Sequence, residues 1–141
     1  MNRIFWDTML FIYLFEDHPL FGDRVAHLAR QIEVRGDRLC TSALVVGEVL
    51  AGAEKSGDLA LKSAYMAYFS SGEIEVIPFT LAAAEIFARV RTGQRIAAPD
   101  AIQLACAATA GVDLFVTHDK RLGGKQPPGV RFVVDLAQDV L

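Results

Sequence analysis

Four carboxylates interrupt stretches of this chain that are otherwise apolar. Asp7 ends the run Ile4-Phe5-Trp6, and Glu48 separates Leu44-Val45-Val46 from Val49-Leu50. Asp100 follows Pro99 and opens the apolar stretch 101–108, and Asp119 follows Leu114-Phe115-Val116 with Thr117 and His118 between. Acids are seldom buried unless they are paired or bound to metal. Four acids beside core-like sequence therefore point to a shared divalent cation. A donor set of carboxylates without His or Cys selects a hard ion such as Mg²⁺ or Mn²⁺ over zinc. Such an ion supplies a polarised water for in-line attack on a phosphodiester and neutralises the charge that develops.

Each acid also has an ordinary use. Asp7 could cap a helix, Glu48 could be a solvated helix residue, and Asp100 could complement a helix N-terminus. Asp119 could make an Asx-type turn before Lys120-Arg121. The four together, with the elements around them, favour a common site.

The elements that must position them alternate in type. Ile4–Trp6 reads as a buried strand, and Thr8 as the cap of an apolar helix over Met9–Phe15. An amphipathic helix follows from Leu20 to about Val34 and stops at Gly36. Arg38–Thr41 reads as the second strand. Ser42 caps a helix over Ala43–Ala53, and Leu59–Phe69 is the next helix. Ile74–Pro78 is a third strand, Thr80 caps Leu81–Arg91, and Gly93 ends that helix. Pro99 suits the first turn of Ala98–Ala110. Leu114–Thr117 is a strand, residues 120–129 a Gly- and Pro-rich loop, and Val130–Val134 a last strand. Alternating strands and helices predict a mostly parallel sheet covered on both faces. Sites in such sheets form at the carboxyl ends of strands, where Asp7 and Asp119 fall.

Composition sets the outer limits. The 141 residues suffice for one domain with a real core, spanning 1–141. Hydrophobic residues make up 52% of the chain, and mean hydropathy is +0.31; this apolar surplus predicts a further buried interface with itself or a partner. Net charge is -3, from 17 acidic and 14 basic residues, unlike a protein that coats DNA. Cys40 and Cys106 sit in apolar surroundings and read as buried small hydrophobes of a reduced, cytoplasmic protein. No apolar run reaches the roughly 18 residues of a membrane span, and no signal peptide is read.

The segments Asp7-Thr8-Met9-Leu10-Phe11-Ile12-Tyr13-Leu14, Ser42-Ala43-Leu44-Val45-Val46-Gly47-Glu48-Val49-Leu50-Ala51-Gly52, Pro99-Asp100-Ala101-Ile102-Gln103-Leu104-Ala105 and Val116-Thr117-His118-Asp119-Lys120-Arg121-Leu122 together resemble the PIN-domain nucleases. Within that group the likeness is to VapC-type toxins of bacterial toxin–antitoxin pairs. The resemblance implies a three-layer α/β/α fold, here with four to five strands, and a metal-dependent endoribonuclease using Mg²⁺ or Mn²⁺. It maps the acidic quartet, as metal ligands and catalytic residues, onto Asp7, Glu48, Asp100 and Asp119. Thr8 and Thr117 match positions that often carry a hydroxyl near the acids. It further implies an RNA substrate, a homodimer and a small antitoxin that blocks the site. Met9 departs from the Asn or Ser of many relatives, and His118 from a commoner Asn.

Lys120, Arg121 and Lys125, with Arg91 and Arg95, are candidates to meet RNA phosphates, against an ordinary solvated charged surface. The aromatic residues on helices read first as core or interface. A phosphatase of the haloacid dehalogenase type needs a second Asp at position 9, where Met9 stands. A receiver domain needs an Asp after the third strand, where Phe79-Thr80 follow. Gly124-Lys125-Gln126 does not complete a P-loop. The remaining alternatives are a PIN-like module that binds RNA or protein without cutting, and a housekeeping PIN nuclease without an antitoxin.

Overall fold

Five short parallel strands lie side by side in the order β3-β2-β1-β4-β5. They are β1 (Arg3–Trp6), β2 (Arg38–Ser42), β3 (Glu75–Ile77), β4 (Leu114–Thr117) and β5 (Phe132–Asp135). The computed structural model describes residues 1–122, 129–130 and 132–137. Among the described residues six helices connect the strands: α1 (Thr8–Phe15) and α2 (Gly22–Arg35), α3 (Ala43–Ser56) and α4 (Leu59–Ser70), α5 (Leu81–Gln94) and α6 (Ala98–Thr109).

Consecutive side chains of β1 point to opposite faces of the sheet, yet Ile4, Phe5 and Trp6 are all at most 1% exposed. Both faces are therefore covered, and the architecture is the three-layer α/β/α sandwich expected of a parallel sheet. Phe5 stacks on Phe115 of β4 with ring centroids 4.7 Å apart. Burying each such ring is worth about 1.5–3 kcal/mol. Phe11, Phe15, Tyr65, Tyr68 and Phe69 form an aromatic contact network between α1 and α4. The helical aromatics thus serve the core, as their apolar positions indicated.

The chain leaves β1 towards β2 and β3, then crosses back over β1 to form β4 and β5. The connections after β1 and β4 consequently diverge and open a crevice at their carboxyl ends, the usual location of a site in such a sheet.

Local chemistry sets most element ends. The Ser42 hydroxyl accepts from Val45 N at 3.1 Å and Thr80 Oγ1 from Ala83 N at 3.2 Å, so both caps stand where expected. Gly36 and Gly57 close α2 and α3 with φ of 71° and 72°.

Three expectations need correction. The cap of α1 is Asp7, whose carboxylate accepts from Thr8 N at 2.7 Å; Thr8 is already the first helical residue. Gly93 does not end α5, which runs to Gln94 and places Arg95 in the left-handed region at φ 53°. The last strand starts at Phe132, because pairing with β4 begins at Leu114↔Phe132; Val130 is buried but outside the ladder. Cys40 and Cys106 are free and buried, and burial pushes both thiols up to about 11, so neither is a ready nucleophile. Among the described residues, no helix is long and apolar enough to cross a membrane.

Candidate active site

The end of β1 and the start of α1 place Asp7 at the mouth of the crevice, where its backbone N–H donates to Val116 O at 3.0 Å and ties it to β4. Asp7 is only 8% exposed. One carboxylate oxygen caps α1, and the other accepts from Thr117 Oγ1 at 2.8 Å. The same threonine oxygen accepts from Asp119 N at 3.0 Å. Thr117, at the last position of β4, therefore links two acids that follow two neighbouring strands.

Glu48 reaches the site from α3. Its Oε1 accepts from Thr8 Oγ1 at 3.2 Å and from Gln103 Nε2 at 2.9 Å. Gln103 also approaches Thr8 Oγ1 at 3.4 Å. Asp100 lies in the first turn of α6, one turn before Gln103. Gln103 was not singled out by sequence, although it is 2% exposed and joins α6 to α3 and α1. Its visible signal is a lone amide inside an apolar helix, three residues after an acid. Its amide nitrogen must face Glu48, since the reverse orientation would oppose two acceptors. That leaves Gln103 Oε1 buried with no hydrogen-bond partner among the described residues.

Electrostatics bind the acids into one system. Burial raises the Asp7 pKa, the bonds from Thr117 and Thr8 counter it, and the charges of Glu48 and Asp119 raise it further. Burial also raises Asp100, reinforced by Asp7 and Asp119 and opposed by Arg121. Asp119 is instead held below its ordinary value, chiefly by hydrogen bonds from the Arg121 side chain. Arg121 Nη2 donates to Asp119 Oδ2 at 2.9 Å, while Nε and the backbone N–H donate to Oδ1 at 3.1 and 2.9 Å.

The four acids thus gather at one end of the sheet, but not as a closed cage. Among the described residues, no three Asp, Glu, His or Cys side chains stand close enough to hold one ion. The donor chemistry nevertheless fits a hard divalent cation. Oxygen donors predominate, burial and neighbouring acids raise two of the acids, an arginine holds a third, and a buried amide oxygen beside the fourth has no donor among the described residues.

The remaining predicted contacts differ in position. Lys120 is exposed beside Asp119, and Lys125 lies outside the described residues. Met9 is 41% exposed. His118 turns away from a purely backbone role: its Nδ1 lies 2.7 Å from Tyr13 Oη, and its ring meets Phe21 edge-on at 4.3 Å. A cavity of about 330 Å³ opens beside Asp100, lined by Arg91, Arg95, Ile96, Arg121 and Leu122.

Known proteins share this arrangement of elements. The chain is similar to VapBC2 from Rickettsia felis, solved with a promoter DNA fragment, at 17% identity and a TM-score of 0.75, covering 94% of this chain and 98% of that one. It is similar to DNA-bound VapBC from Salmonella typhimurium at 22% identity and a TM-score of 0.65, covering 96% and 99%. It is also similar to VapC20 from Mycobacterium tuberculosis, a sarcin–ricin loop cleaving toxin, at 16% identity and a TM-score of 0.63, covering 79% and 86%. No curated protein sequence matches the chain significantly. At these identities the structures speak for the fold, and the sequence profile speaks for the family: the PIN domain matches residues 4–124, and the chain belongs to the PIN-domain family.

Proposed function

We propose that this protein is a Mg²⁺- or Mn²⁺-dependent endoribonuclease and the toxin of a bacterial toxin–antitoxin pair. The observation that carries this reading is the set of like charges at the crevice between β1 and β4. Asp7 and Asp100 are both raised by burial and by neighbouring acids, a condition that a divalent cation relieves. Asp7, Glu48, Asp100 and Asp119 are assigned as its ligands. When bound, the cation supplies a polarised water and a counter-charge for phosphodiester hydrolysis.

The chain's own residues supply the rest. Thr117 holds Asp7 and the backbone of Asp119 in fixed relation, and Thr8 with Gln103 orients Glu48. Thr8, Lys120 and Arg121 line the approach of RNA; Thr117, expected there as well, is fully buried and acts on the acids instead. Similarity to toxin–antitoxin complexes supports a small antitoxin as partner. The RNA-cleaving toxin among the similar structures supports RNA as substrate. A homodimer is consistent with the apolar surplus.

Purified protein is expected to cut RNA with Mg²⁺ or Mn²⁺ and to stop with EDTA. Folded Asp7→Asn and Asp100→Asn variants that cut as fast as the parent would refute the assignment. The toxin role is read separately: expression alone should arrest bacterial growth, and the adjacent small reading frame should restore it. Normal growth with active protein would make it a housekeeping PIN nuclease.

A further inference from the structure

The cavity beside Asp100 has a charge pattern that acid ligands do not explain. Arg91, Arg95 and Arg121 surround a single carboxylate there. Arg91 Nη1 donates to Ile96 O at 2.9 Å, which fixes its guanidinium at the rim. Arg95 occupies the left-handed region at φ 53°, a conformation that glycine adopts with less strain. Gly93 stands two residues earlier and is left within the helix. The fold thus keeps a long cationic side chain at a position better suited, for backbone reasons, to glycine.

Arg121 occupies both oxygens of Asp119, yet its side chain is 83% exposed. Exposed ion pairs contribute little to stability and are readily exchanged. A divalent cation at the acids competes for the same oxygens, since the arginine fork already uses both. Released from Asp119, Arg121 already lines the cavity that holds Arg91 and Arg95. We propose that Arg91, Arg95 and Arg121 form a subsite for an RNA phosphate adjoining the scissile one, and that Arg121 joins it by yielding Asp119 to the divalent cation.

This rests on the nuclease reading and extends it. The planar guanidinium fork suits phosphate oxygens as it suits carboxylate oxygens, so the exchange replaces one anionic partner with another. Cation and RNA then favour each other's binding, and by linkage the effect is reciprocal.

The experiment uses Mn²⁺ titration by calorimetry without RNA, binding of a labelled single-stranded RNA in EDTA, and KM for that RNA in Mn²⁺. Arg121→Ala should bind Mn²⁺ about two- to fivefold more tightly, as expected for loss of one exposed competing charge. Arg95→Ala should bind it as the parent does. In EDTA, Arg95→Ala should weaken RNA binding and lower the salt slope by about 0.7, one single-strand phosphate contact. Arg121→Ala should leave that slope unchanged, because Arg121 is then engaged with Asp119. In Mn²⁺ both variants should raise KM more than they lower kcat. Arg121→Lys, which keeps the charge without the fork, should fall between parent and alanine. Mn²⁺ binding to Arg121→Ala no tighter than to the parent would overturn the exchange, and parental KM in both alanine variants would overturn the subsite. Asp7→Asn that cuts at the parental rate would instead defeat the underlying nuclease reading. An inactive Asp7→Asn alongside parental Arg95→Ala and Arg121→Ala would defeat only this inference.

Discussion

Asp7 carries two obligations that pull in opposite directions. As a helix cap it stabilises α1, and as a buried anion beside Glu48 and Asp119 it costs stability until a cation arrives. Its folded pKa is raised above the ordinary 3.8, so the native protein holds the proton more tightly than the unfolded chain does. Stability from this group is therefore greatest below the ordinary value and is lost as pH rises through the raised one. Asp7→Asn retains an oxygen for the cap while removing the charge. In EDTA at neutral pH the variant should melt above the parent, and the gap should close as pH falls towards the ordinary carboxylate range. In Mn²⁺ the order should reverse, because only the parent gains cation binding. Cleavage should fall on the order of a hundredfold or more, as when an essential electrostatic group is removed. Thermal melts across pH, with and without Mn²⁺, check the first two expectations; a parent that melts above Asp7→Asn in EDTA at every pH would contradict them.

A side-chain hydrogen bond ties helix α6 to helix α3. Gln103 on α6 donates to Glu48 on α3, and its other amide atom is buried without a partner among the described residues. Gln103→Met keeps length and apolar contact, removes the orphaned oxygen and releases Glu48. Loss of one hydrogen bond offset by relief of one buried acceptor should change stability by less than about 1 kcal/mol. Partners that orient metal ligands typically matter more for affinity, so Mn²⁺ binding should weaken by about 10- to 100-fold. Calorimetry beside a denaturation curve checks this, and a large stability loss with parental Mn²⁺ affinity would make Gln103 a packing residue only. The sequence displayed the elements here better than the contacts between them. Ser42, Thr80, Gly36 and Gly57 announce their caps because capping depends on one side chain or one left-handed residue. The acids were visible because charge inside apolar sequence is costly. Gln103 was not, since one amide in an apolar helix reveals neither its face nor its partner. The helix end at Arg95 was hidden for a related reason: Gly93 offered the stronger local stop, and packing of α5 against α6 carried the helix past it.

At the scale of the whole molecule, the core does not account for all the apolar side chains. Leu59 and Met66 lie seven residues apart, two turns along one face of α4, and are 74% and 46% exposed. Tyr65 on the same helix is fully buried, so α4 faces both inward and outward with apolar groups. An outward apolar face on a small domain is more costly than one scattered leucine, and self-association is one way to cover it. The proposed homodimer therefore has a specific consequence. Leu59→Glu with Met66→Glu should leave the fold intact, because neither side chain belongs to the core, and should shift sedimentation towards the 15.4 kDa monomer. Burying two carboxylates at an interface without partners is strongly unfavourable, so a dimer through this face should not survive both substitutions. If the double variant sediments as the parent does, α4 is not the dimer face. Because α4 supplies none of the four acids, the substitutions should also leave Mn²⁺ binding intact, which separates loss of the dimer from loss of the site.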